Sequence, residues 1–175
     1  DGTFTYASAE YCVSGSDPTP TISGTTGGTF SSTAGLSINA STGEIDLSAS
    51  TAGTYTVSYL TSGNTCAVTG TFDVTITDDE DGTFTYASTE YCKSGSNPTP
   101  TITGTTGGTF SSTAGLSINT STGEINIAAS TAGTYTVSYV TSSNLCAVTG
   151  TFDVTITDDE DGTFTYASAE YCVSG

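Results

Sequence analysis

The string DGTFTYAS begins at Asp1, again at Asp81 and again at Asp161, so the chain repeats itself every 80 residues. Residues 1–80 and 81–160 are identical at 69 of 80 positions, and 161–175 reproduce 1–15 without a change. That period is too long for one solenoid coil or propeller blade and suits one small domain per repeat. The reading is therefore a domain at 1–80, a second at 81–160, and the start of a third repeat at 161–175. A permuted frame of 16–95 and 96–175 fits the length equally well. The first is preferred because GTFTY reads as an opening strand directly after a charged break. Starting and stopping at arbitrary phases of the repeat is what a window cut from a longer array would show.

Within a repeat the strand signals are frequent and short. Phe72, Val74 and Ile76 alternate with Thr71, Asp73, Thr75 and Thr77, the pattern of a half-buried strand. Tyr55, Val57 and Tyr59 alternate in the same way. Thr, Val, Ile, Tyr and Phe favour strands, and residues 1–80 alone hold 18 Thr and 12 Ser. About seven strands are predicted, near 3–8, 19–23, 28–32, 36–39, 44–48, 54–61 and 67–77. Seven short strands in an 80-residue unit point to an all-β fold, an immunoglobulin-like β-sandwich, with tandem copies arranged as beads on a string.

What is missing excludes whole classes of function. The chain has no His, Arg, Met or Trp, and Lys93 is its one base against 18 acids, a net charge of −17. Without His the commonest general acid/base and neutral metal ligand are gone. One cation cannot neutralise a row of phosphates, which argues against nucleic acid and anionic membranes as partners. No apolar run approaches the roughly 20 residues that span a bilayer, so no membrane insertion is expected in this segment. Glu44 and Asp46 resemble a carboxylate pair, but Asn126 replaces the second acid in the next repeat, so they read as surface charges and no enzyme is expected. Thr25-Thr26-Gly27-Gly28-Thr29 lacks the Lys of a phosphate loop and reads as a turn. Val13 stands where repeat two has Lys93, so a systematic Lys–Asn crosslink is excluded.

The segments GLSIN at 35–39, STGEI at 41–45 and AGTYTV at 52–57 resemble those of bacterial immunoglobulin-like and cadherin-like repeats. The longer string from TFTYAS through DPTPTISGTTGGTFSSTAGLSINASTGEIDLSAS resembles repeats of giant surface proteins of Bacteroidetes. Many of those are type IX secretion substrates, and some form gliding-motility or adhesion filaments. The resemblance covers the whole chain. It implies an extracellular, cell-surface protein with no catalytic residues. The leading expectation is a structural stalk or filament segment of a large adhesin, whose partners are adjacent repeats of the same chain. The alternative is an array of weak modules that bind surface glycans or other cells with avidity.

The cysteines are Cys12, Cys66, Cys92, Cys146 and Cys172, alternately 54 and 26 residues apart. Two connectivities respect the repeat. Pairing within a repeat joins Cys12–Cys66 and Cys92–Cys146 and leaves Cys172 to a partner beyond the window. Pairing across the linker joins Cys66–Cys92 and Cys146–Cys172. The first is preferred because it staples one small secreted sandwich, whose core is limited. Free thiols are the plainer alternative, and metal binding finds no Cys-x-x-Cys to support it.

Asp78, Asp79, Glu80 and Asp81, with Asp158, Asp159, Glu160 and Asp161, hold 8 of the 18 acids, at the junctions between repeats. Calcium takes six to eight oxygen ligands in flexible geometry, so these runs are candidate calcium sites that would stiffen the joints, with Asp79, Glu80 and Asp81 foremost. The competing reading is a solvated acidic tether that aids solubility. Among the tyrosines, Tyr55 and Tyr59 read as core, Tyr55 resembling a tyrosine corner, while Tyr6 and Tyr11 could also meet a partner.

Overall fold

The computed structural model describes residues 1–63, 65–143 and 145–165, and the described residues are strands, turns and bends without a helix. In the first repeat the strands are β1 (Phe4–Thr5), β2 (Glu10–Cys12), β3 (Thr21–Ile22), β4 (Thr29–Ser32), β5 (Ser37–Ile38), β6 (Ile45–Asp46), β7 (Gly53–Leu60) and β8 (Thr69–Thr77). In the second they are β9 (Phe84–Thr85), β10 (Glu90–Cys92), β11 (Thr101–Ile102), β12 (Thr109–Ser112), β13 (Gly133–Val140) and β14 (Thr149–Thr157). All seven predicted strands of repeat one are present. An eighth, β2, is added.

The two long strands set each domain. In β7 the side chains of Tyr55, Val57 and Tyr59 are buried while Thr54, Thr56 and Ser58 turn outward, and β8 pairs with it antiparallel from Gly53↔Ile76 to Leu60↔Thr69. Strand β4 joins on one side, placing Phe30 opposite Tyr59. Strand β2 joins on the other, parallel to β8, with Tyr11↔Ile76 and Cys12↔Thr77. The order β2-β8-β7-β4 makes one layer of the sandwich. Facing it are the small β1-β3 and β5-β6 ladders. Phe4 from β1 meets the Phe30 ring at 5.3 Å and the Tyr59 ring at 6.0 Å, both edge-on. In repeat two the counterpart of β5-β6 shrinks to a single Ile118↔Ile125 bridge.

Two cores result, one drawn from Phe4 to Ile76 and the other from Phe84 to Ile156, occupying equivalent positions of the repeat. Of the eleven positions at which the repeats differ, only Leu47/Ile127 falls among the buried core residues, an exchange of equal volume that well-packed cores tolerate. Tyr55 donates its hydroxyl to the carbonyl of Thr51 at 2.7 Å, the geometry of a tyrosine corner. Tyr59 donates to the Thr25 carbonyl and accepts the Gly28 amide, so its buried hydroxyl is satisfied on both counts. Tyr6 is 5% exposed and its hydroxyl donates to the Gly43 carbonyl; burial, then the nearby Tyr11, pushes its acidity well down. Tyr6 is thus core, and Tyr11 is half-buried against it.

Candidate functional site at the joint between repeats

The parallel strand β2 gives each sandwich two unlike ends. One end carries Cys12 beside Thr77, where β8 stops. The other carries the 61–68 loop between β7 and β8, which holds Cys66. Eight residue steps of β8 separate Thr69 from Thr77, about 27 Å at ~3.4 Å per step. A disulfide needs its two Cα atoms within about 7 Å. Pairing Cys12 with Cys66 is therefore ruled out by the position of β2, and Cys66 with Cys92 would bridge still more distant ends.

Cys12 is instead bonded to Cys146, which lies in the equivalent loop of the second domain, with 5.5 Å between their Cα atoms. Neither connectivity expected from the sequence occurs at this bridge. Cys66 and Cys92 are exposed free thiols, and Cys172 lies outside the described residues. The end of domain one meets the start of domain two, and the covalent link crosses that joint. Cys146 is only 4% exposed there.

The acidic run completes the joint. Val13 donates its amide to the Thr77 carbonyl at 3.1 Å, and Ser14 donates its hydroxyl to the Asp79 carboxylate at 2.8 Å, which holds the run against domain one. Glu80 reaches the other way. Its amide donates to the Cys146 carbonyl at 3.1 Å, and its carboxylate accepts the Ser143 amide at 2.9 Å. The Ser143 hydroxyl accepts the amides of Leu145 and Cys146, which shapes the loop for both contacts. Hydrogen bonds from the Thr141 hydroxyl and then the Ser143 amide hold the Glu80 carboxyl below the ordinary glutamate range, against partial desolvation.

Asp81 already belongs to domain two. Its carbonyl accepts the Thr105 amide at 2.7 Å and its amide donates to the Thr105 hydroxyl at 3.1 Å. Its carboxylate accepts the Thr83 hydroxyl and amide, which in that order hold the Asp81 carboxyl below the ordinary aspartate range. The next residue, Gly82, is pressed against Gly150 so closely that a Cβ on Gly150 would fall 1.9 Å from the Gly82 carbonyl oxygen. Residues 78–80 are therefore the main-chain link between the two bodies, beside the disulfide.

The same arrangement recurs beyond domain two. Ser94 donates its hydroxyl and amide to Asp159 at 2.7 and 3.0 Å, which with Lys93 nearby lowers the Asp159 carboxyl. Lys93 pairs with Asp158 at 3.0 Å, a surface contact worth at most about 1 kcal/mol. Asp161 accepts from Thr163 as Asp81 does from Thr83.

These placements bear on calcium. A calcium shell needs several oxygens converging on one point, whereas Asp79, Glu80 and Asp81 each point at a different protein donor. Among the described residues, the only three metal-ligating side chains that converge are Cys12, Asp79 and Cys146, and two of those are consumed by the disulfide. As placed, the carboxylates of Asp79, Glu80 and Asp81 do not converge on a common point. Sequence reasoning missed Ser14 and Thr141, which no pattern in the chain marks; Ser143 shows only as a position where the repeats differ, beside the cysteine.

No protein-family model matches the chain, and no curated protein matches it. Among solved structures it is similar to a SusE-like, surface-located polysaccharide-binding protein from the Bacteroides thetaiotaomicron heparin utilisation locus. That likeness has 15% identity and a TM-score of 0.39 and covers 89% of this chain but 34% of that one, so the chain spans about a third of that protein's length. It is also similar to the first two cadherin domains of human protocadherin-24, at 10% identity and a TM-score of 0.38, covering 90% of this chain and 98% of that one. Such scores carry no argument about ligand or partner. The fold and the joint define a class, tandem immunoglobulin-like β-sandwich repeats, and the covalent bond between neighbours is its particular feature.

Proposed function

We propose that this chain is a stalk or filament segment of a large extracellular adhesin, of the kind that Bacteroidetes export through type IX secretion for gliding or attachment. Its repeats supply length and stiffness, and it is not an enzyme. The observation that supports this most is the joint itself, where a disulfide and the two-sided grip of Glu80 tie neighbours together. A module that worked alone would gain nothing from such a link. A disulfide across domains also belongs to an oxidising, extracytoplasmic setting. With one base and a net charge of −17, the segment has no means of gripping nucleic acid. No helix of the described residues is long and apolar enough to cross a membrane.

Two measurements on the oxidised chain test the reading together. Small-angle scattering is expected to give one narrow, elongated particle, and a glycan array is expected to show no saturable binding. Saturable binding to one glycan class would replace the stalk with the multivalent binding array. A broad scattering profile from freely jointed domains would remove the stiffness on which the stalk reading depends.

A further inference from the structure

We infer that Cys92 and Cys66 are the two halves of the same joint, so that in a continuous array every repeat is disulfide-bonded to the next. Cys92 stands at the trailing end of its sandwich and Cys66 at the leading end of its own. The inference rests on the tandem-array reading, but not on what the array binds.

The two thiols occupy the positions that are bonded at the one joint present. Cys92 lies in parallel register with Thr157, as Cys12 does with Thr77. The Lys93 amide donates to the Thr157 carbonyl as the Val13 amide does to that of Thr77. Ser94 grips Asp159 as Ser14 grips Asp79. The trailing end of domain two therefore has the full set of contacts that domain one uses. At the leading end of domain one, the loop carrying Cys66 is closed by Thr61 and Val68 as its counterpart is by Thr141 and Val148, with matching distances of 3.0 and 2.9 Å. Gly63 replaces Ser143 there: it keeps the backbone amide that meets Glu80 and lacks the hydroxyl that caps the Leu145 and Cys146 amides, so the loop is held by its Thr61–Val68 closure. Because the contact joins unlike ends, it is head-to-tail and propagates without closing.

Each new bond forms by oxidation with a small-molecule disulfide such as oxidised glutathione. Two thiols lose two electrons and two protons, the Cys92–Cys66 sulfur–sulfur bond forms, the glutathione disulfide breaks, and two reduced glutathiones leave.

The test is a chain in which residues 1–160 are followed directly by the whole 175-residue sequence, preserving the period and containing nine cysteines. After equilibration in glutathione buffer and unfolding, the inference expects three disulfides and three free thiols. Digestion at glutamate should yield a peptide pair joining Cys92 to Cys66. Changing Cys66→Ser in the first block should leave that pair intact, and the same change in the second block should abolish it. A single free thiol would mean pairing within repeats or across linkers and overturns the inference. Five free thiols would mean that the middle joint stays reduced, which also overturns it. Thiol counts are independent of glycan binding and particle stiffness, so this failure is distinguishable from failure of the stalk reading.

Discussion

The carboxylate of Glu80 accepts the amide of Ser143 at 2.9 Å while the amide of Glu80 donates to the carbonyl of Cys146 at 3.1 Å. One linker residue thus grips both sides of the loop that carries the bridging cysteine. Its neighbour Asp79 is held from the opposite domain by Ser14. Asp79 and Glu80 are thus held from opposite sides of the joint.

Glu80 gives the joint a pH dependence of known sign. Its folded carboxyl titrates below the ordinary value of 4.5, because Thr141 and Ser143 donate to the charged form. Its contribution is therefore complete above pH 4.5 and is lost as the pH falls through the lowered folded value. Glu80→Gln keeps an acceptor and removes the titration. In the reduced chain, scattering from pH 7 to 3 should broaden at the acid end, and the Gln variant should lack the part of that change due to Glu80. Identical profiles would show that Glu80 does not hold the joint.

Reduction of Cys12–Cys146, or the change Cys146→Ser, should free the orientation of the domains without unfolding them. Each core is drawn from a single period, so both domains should still melt cooperatively after reduction while the scattering profile broadens as they come loose. A staple within one sandwich would leave the scattering profile unchanged on reduction. Scattering and calorimetry with and without reductant separate the two cases.

Chelation should leave the joint unchanged. The carboxylates of 79–81 are directed at Ser14, Ser143 and Thr83 rather than at a common point. Scattering of the oxidised chain in excess EDTA and in millimolar calcium should superimpose. A shorter or broader particle in EDTA would restore a calcium role for Asp78 to Asp81.

Gly150→Ala should destabilise the second domain by about 1–3 kcal/mol, the usual cost of forcing atoms into filled space. The new methyl would overlap the Gly82 carbonyl and lift the strap that follows the joint. Denaturant titration followed by circular dichroism reads the loss.

Tyr139→Phe should cost about 1–3 kcal/mol, since it strands the Gly108 amide and the Thr105 carbonyl, which the buried hydroxyl now satisfies. Tyr91→Phe, whose hydroxyl only accepts the exposed Ser88 amide, should stay within about 0.5 kcal/mol. The same denaturant titration compares them.

Most of the sandwich was legible because burial writes itself into the chain with a period of two. Tyr55, Val57 and Tyr59, then Phe72, Val74 and Ile76, announced β7 and β8, and AGTYTV announced the corner at Tyr55. Strand β2 was not legible. Glu10-Tyr11-Cys12 is three residues long and shows no alternation to count, and it is a strand only because β8 offers it a parallel edge. The serines and threonines that hold the acidic run were equally silent, since a hydroxyl reveals its acceptor only once the chain has brought the two together.

By itself the sequence determined the 80-residue unit, its β-sandwich and the location of its charge, because repetition and side-chain alternation are local properties that folding preserves. Only the tertiary structure decided where the cysteines go. The alternating spacing allowed two pairings, and neither joins Cys12 to Cys146. Which thiols meet depends on the end of the sandwich each occupies, and the register of Cys12 beside Thr77 puts its reachable partner in the neighbouring repeat, at Cys146.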